Sequence, residues 1–172
     1  MKIPIYQVDA FTSEVFKGNP AAVCPLKEWL PDEIMQKIAQ ENNLSETAFF
    51  INKNNLFNIR WFTPVAELDL AGHPTLATAH VIIKELNFKL DKIIFKTKIE
   101  DTLTVTHKDN LYIMNFPSRP PKLENNINLV AEALGKKPKT LLRHRDAVAV
   151  FDNEEDIKNI SPNMEKLKKL DY

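Results

Sequence analysis

Apolar and polar positions along the chain sort into periods of two and of three to four, and these predict most of the elements. Lys2 to Phe11 alternates well enough for a strand, and Ala21 to Cys24 reads as a second, with the Thr12 to Pro20 loop between them. Pro31-Asp32-Glu33 opens a helix with carboxylates at its positive end, Ile34, Met35, Ile38 and Ala39 form its apolar stripe, and Asn42-Asn43 stops it. Thr47 to Ile51 and Leu56 to Thr63, rich in β-branched and aromatic residues, predict a hairpin around Asn52-Lys53-Asn54-Asn55. Thr75 to Leu86 has helix length with apolar or small residues on almost every side, so it should be wrapped by protein. Strands follow at Lys92 to Thr97, Thr102 to His107 and Leu111 to Phe116. The expected architecture is α+β, a curved and mostly antiparallel sheet around a central helix.

Pro117-Ser118-Arg119-Pro120-Pro121 breaks the pattern and is the natural linker, dividing the chain into 1–117 and 118–172. Beyond it, a helix from about Asn126 to Leu134, a strand from Ala147 to Phe151 and an amphipathic helix near Met164 to Leu170 are too little for an independent core.

Composition removes several functions. Lys plus Arg equals Asp plus Glu at 23 each, which gives no field to attract nucleic acid or an anionic membrane. No apolar stretch approaches a membrane span, and the start of the chain reads as a strand, which together point to a soluble, cytoplasmic protein. Cys24 is the only cysteine, so an intrachain disulfide, cysteine-based zinc sites and paired-thiol mechanisms are excluded. Its apolar flanks make it a buried, inert thiol. Glycine is scarce: ordinary usage would give roughly twelve, and there are 3. Neither a P-loop nor a GxGxxG turn can be written with Gly18, Gly72 and Gly135. Gly135 reads as a helix C-cap, whereas the other two sit in turns where an element is about to begin.

Those turns carry the candidate chemistry. In an extended segment Glu46 shares a face with Leu44, Ala48 and Phe50, and apolar surroundings penalise a charged carboxylate, which suits it to take and return a proton near neutrality. Taken alone, a solubilising edge charge is the commoner role for such a glutamate. Gly72-His73-Pro74-Thr75 enters the central helix, and unpaired amides at a helix start bind a carboxylate without a basic side chain. Gly72 allows close approach, Pro74 suits the first turn, and His73 can donate a hydrogen bond or relay a proton. Asn19, in Gly18-Asn19-Pro20, can hold a polar group at a strand entry, although a structural turn is the simpler role. His80, two turns beyond His73, reads as a packed core histidine. Asp9, Glu67 and Asp69 lie in or beside these loops and are candidates to support the site from behind, with surface charge the default for each.

The strings Asp9-Ala-Phe-Thr12, Phe16-Lys-Gly-Asn-Pro-Ala-Ala-Val-Cys24, Gln40-Glu-Asn-Asn-Leu-Ser-Glu-Thr-Ala-Phe49, Ile59-Arg-Trp-Phe-Thr-Pro64 and Ala71-Gly-His-Pro-Thr-Leu-Ala77, in this order and spacing, resemble the PhzF family of phenazine biosynthesis. The resemblance is strong from Lys2 to Pro117 and weaker beyond. It implies the diaminopimelate epimerase-like fold, two pseudo-symmetric lobes each with a central helix, and a cofactor-independent and metal-independent isomerase. In the phenazine-pathway member, a dihydro-hydroxyanthranilate is isomerised and the glutamate of the Ser-Glu-Thr motif moves the proton, a role that falls on Glu46. The histidine of the Gly-His motif lines the substrate site, which falls on His73 beside Gly72. The related epimerases use one cysteine from each lobe; Ala71 stands in the equivalent turn here, which excludes a two-thiol racemase. The family's second lobe supplies an Asp-Pro-Val-Thr-Gly-Ser segment that has no counterpart after Pro117. The second lobe is therefore expected to be incomplete, the chain being either a fragment of a longer protein or a natural half that meets a complementary lobe or a homodimer partner. The alternative is an inactive half-protein serving as a binding or assembly module.

Overall fold

In the computed structural model, which describes residues 2–99 and 101–171, the expected alternating segments pair into one sheet. Its strands are β1 (Tyr6–Ala10), β2 (Asn19–Leu26), β3 (Glu46–Lys53), β4 (Leu56–Phe62), the short β5 (Glu67–Leu68), β6 (Lys92–Lys96), β7 (Thr102–Lys108) and β8 (Leu111–Asn115). They run in the order β1-β2-β3-β4-β6-β7-β8, with β5 on β4. Most neighbours are antiparallel, and the hairpin turns use asparagine and aspartate where the backbone must be left-handed: Asn54 and Asn55 between β3 and β4, Asp109 and Asn110 between β7 and β8. The parallel pairs β2/β3 and β4/β6 need crossovers, which the helices α1 (Asp32–Asn42) and α2 (Gly72–His80) supply.

Side-chain parity puts a different helix on each face. Ala21, Val23, Ala48, Phe50, Phe57, Ile59 and Trp61 point inward to Ala77 and Ala79 of α2, where Ile93, Phe95, Leu103 and Val105 complete the main core. Cys24, Phe49 and Phe62 point outward to Met35 and Ala39 of α1. At about 1.5–3 kcal/mol for each large apolar side chain fully removed from water, the inner cluster is the main source of stability.

Two details of α2 differ from the sequence reading. The helix begins at Gly72, and its continuation from Val81 to Glu85 is a π turn, closed by a 2.9 Å bond from the Leu86 N–H to the Val81 carbonyl. Val81, Ile82 and Ile83 are stiff and β-branched, and the wider turn seats the first two fully inside the core. Nor is α2 wrapped all round. Among the described residues β1 and β8 do not pair with each other, and a groove of about 740 Å³ remains, lined by Tyr6, Asp9, Leu76, His80, Glu85 and Tyr112 among others. His80 is therefore a half-buried groove residue whose Nδ1 lies 3.1 Å from the Tyr112 hydroxyl, and not a core histidine.

A second compact unit begins at Ser118. It holds a three-stranded sheet, β9 (Lys122–Leu123), β10 (Thr140–Arg143) and β11 (Ala147–Val150) in the order β11-β10-β9, with helices α3 (Ile127–Leu134), α4 (Glu154–Lys158) and α5 (Met164–Leu167). The sequence reading lacked β9, β10 and α4, which are short and carry little periodicity. Leu141, Val130 and Ala133 form its small core, and Gly135 ends α3 at φ 74° as its position implies. Among the described residues no helix is long and apolar enough to cross a membrane.

Gly18 is required by geometry. It sits at φ +75°, and a Cβ there would lie 2.2 Å from the Ala10 carbonyl oxygen. Gly18→Ala should destabilise the fold by roughly 2 kcal/mol or more, read as a lowered urea midpoint at unchanged m value.

Candidate active site

β2 and β3 are parallel, so both enter the sheet from the same end, and their register sets Ala21 beside Glu46. α1 delivers the chain there: Asn43 turns left-handed at φ 50°, its N–H bonded to the Ala39 carbonyl, and Glu46 opens β3 after two further residues. Glu46 has the parity of Ala48 and Phe50, so its carboxylate faces α2, as the sequence pattern indicates.

The start of α2 meets it. Ala71 is extended and offers no side-chain cap, so the amides of Gly72 and His73 have no partner within the helix. Apart from its chain neighbours and the backbone of its own helix, no described atom lies within 4 Å of where a Gly72 Cβ would project. Space therefore adjoins the unpaired amides.

His73 Nε2 lies 3.1 Å from Glu46 Oε2, and the two side chains are only 10% and 16% exposed. The spacing is that of a hydrogen bond, yet the directions are poor, and both atoms are buried without a properly aligned partner. The contact is thus real as proximity and incomplete as a bond. The nearby Pro20 backbone and the Glu46 carboxylate both favour the protonated ring. Burial is the largest influence on the ring and holds its pKa below the usual histidine value, against the opposing pull of Glu46.

The remaining sequence candidates fall around this pair. Asn19 starts β2, and its Oδ1 accepts a 3.2 Å bond from the hydroxyl of Ser45, the residue before Glu46. Thr75 is fully buried, and its hydroxyl donates to the Ala71 carbonyl at 2.6 Å; Pro74 is buried and has no N–H. These two brace the turn from inside and turn no free donor toward the space beside Gly72. Burial pushes the Cys24 thiol up to about 12, so it is inert as expected. Two readings need correction. Asp9 accepts a 3.0 Å bond from the Phe16 N–H, and Glu67 is the bidentate partner of Arg60, so neither is a plain surface charge. Sequence reasoning also missed that the buried indole N–H of Trp61 has no partner. The large groove beside α2 is lined by neither Glu46 nor His73. Among the described residues no group of three or more His, Cys, Asp or Glu could hold a metal ion.

Residues 8–172 match the model of the phenazine biosynthesis-like protein family, PhzC-PhzF. The chain belongs to this family. It is 43% identical over 170 residues to an uncharacterized isomerase of Pseudomonas aeruginosa, covering 99% of this chain and 65% of that protein. A second uncharacterized isomerase, from Halalkalibacterium halodurans, is 42% identical over 174 residues, with 99% and 65% covered. The crystal structure of a PhzF-family phenazine biosynthesis protein from Enterococcus faecalis superposes with a TM-score of 0.88 at 43% identity, over 99% of this chain and 65% of that one. The PhzF family members thus share this fold, and the chain spans 65% of the length of the two uncharacterized isomerases.

Two outcomes follow from the site geometry. Gly72→Ala should raise thermal stability slightly, since alanine fits the space and is favoured over glycine in a helix by up to ~1 kcal/mol, while weakening carboxylate binding measured by calorimetric titration. Burial holds both His73 and His80 below their ordinary pKa. The unfolded chain therefore binds more protons below about pH 6.5. Their contribution is intact above that pH and lost as pH falls through it toward the folded values. Melting temperature should drop between about pH 7 and pH 5, and His73→Asn with His80→Asn should flatten that slope.

Proposed function

We propose that this PhzF-family chain forms one wall of a cofactor-independent isomerase site, in which Glu46 carries a proton between two positions of a small carboxylate-bearing substrate. The observation that carries this reading is the 3.1 Å approach of His73 Nε2 to Glu46 Oε2, two buried atoms without aligned partners at the open start of α2. Buried polar atoms left unmatched cost about 1–3 kcal/mol each, and a reacting ligand is what would satisfy them.

The substrate carboxylate accepts from the amides of Gly72 and His73, where the helix dipole favours negative charge, and Asn19 orients a second polar group. Glu46 removes a proton from carbon and the electron pair delocalises into the adjoining unsaturated system. The same carboxyl group then returns the proton at another carbon, so the product is an isomer with no change of oxidation state. Neutral His73, 3.1 Å from Glu46 Oε2, steadies the carboxyl group while it holds the proton. The naming of two relatives as isomerases supports this class of reaction. The selection of one substrate, and closure of the site by a complementary lobe or a homodimer partner, belong to the whole protein.

The test is proton exchange in heavy water, followed by NMR with a dihydro-hydroxyanthranilate as probe. Deuterium should enter the product with the whole wild-type protein, and Glu46→Gln should slow its entry by about 10²–10⁴-fold. Exchange at the wild-type rate in Glu46→Gln would overturn the assignment.

A further inference from the structure

Glu46 and His73 reach the site on separate routes: Glu46 from the end of α1, His73 from the loop after β5. Both routes are tied to one side chain on the opposite face of the sheet. Arg60 of β4 has the outward parity of Phe62 and is only 8% exposed. Its Nε and Nη2 donate to the two oxygens of Glu67 at 2.7 and 2.8 Å, a bidentate pair, and its Nη1 donates to Asp32 at 2.8 Å. Its guanidinium carbon sits 5.5 Å from the Trp29 ring and 5.2 Å from the Phe62 ring. Lys98 adds a 2.7 Å contact to Glu67.

Asp32 is the first residue of α1, the helix whose C-terminal turn presents Glu46. Glu67 lies in β5, five residues before Gly72, and β5 is only two residues long. Two ladder residues alone hold a strand weakly, so the ion pair supplies much of what fixes the approach to α2. Other bonds follow the same routes: Gln36 of α1 donates to the Thr63 carbonyl at 2.8 Å, and Asn42 donates to Thr47 beside Glu46 at 3.1 Å.

We infer that Arg60 is a positioning residue: by holding Asp32 and Glu67 together it fixes the separation of Glu46 and His73 on the far side of the sheet. The inference rests on the proposed isomerase reading for its purpose and not for its geometry. It also gives Arg60 a role that lysine cannot fill, because an ammonium group cannot make the fork-shaped pair with Glu67 while reaching Asp32.

The experiment is histidine-resolved NMR titration of the intact chain, comparing wild type with Arg60→Lys and with the milder Glu67→Gln, alongside melting curves. His73 is held down chiefly by burial, so a loosened turn admits water and its midpoint should rise, by about half a pH unit. His80, two helical turns further along α2, should stay at its wild-type midpoint. An unchanged His73 midpoint in a variant that melts lower would make Arg60 merely structural. Equal shifts at His73 and His80 would mean general loosening, and either result overturns the inference. Glu67→Gln keeps the volume of the side chain, so it supplies the same decision should Arg60→Lys fail to fold. The readout needs no turnover, so a failure here is distinct from a failure of the isomerase reading.

Discussion

The close approach of sheet to helix at Ala77 and Ala79 is the constraint on which the first unit depends. Both are fully buried, and their small side chains let the inner faces of β1, β2 and β3 come near the axis of α2. A helix buried this deeply must satisfy its polar groups internally. Thr75 and Thr78 do so by donating to the carbonyls four residues back, Ala71 and Pro74. Had larger residues stood on that face, the sheet would be held away and the start of α2 would not meet β3. The juxtaposition of His73 and Glu46 is thus a product of packing as much as of either residue.

The parts of this arrangement visible in the sequence are those encoded by local pattern. The apolar and small residues on almost every side of Thr75 to Leu86 announced a buried helix, and the parity of Glu46 with Ala48 and Phe50 gave its direction. The asparagine turns and the left-handed Gly18 and Gly135 were equally local. Register across the parallel pair was not, because nothing in β2 or β3 alone states that Ala21 lies beside Glu46. The 3.1 Å approach of His73 to Glu46 depends on that same long-range packing, and so escaped sequence reasoning. The open face at Leu76 reflects how β1 and β8 end the sheet, which no periodicity within α2 records.

Charge was misread for a related reason. Glu67 in isolation has the default of any loop carboxylate, and Arg60 lies within an otherwise apolar strand. Their pairing becomes visible only when β5 folds back along β4. Burial raises the carboxylate's proton affinity, and the bonds from Arg60 and Lys98 outweigh it, holding Glu67 below its ordinary value. Breaking such a pair leaves a partly buried charge uncompensated, which costs more than the pair contributes when whole.

The two faces of the sheet therefore divide the electrostatics of the first unit. On the outer face, opposite charges meet with aligned bonds, and Arg60 is satisfied on every side that faces protein. On the inner face, Glu46 and His73 meet at bonding distance with their directions unmet. Folding alone would favour either a good bond or two apolar side chains at that place. A well-made pair behind the sheet and an ill-made one in front of it are compatible if rigidity is supplied where no ligand comes and polar capacity is kept where one does. The cost of the unmet pair is small beside the apolar burial around α2, which is why the fold can carry it.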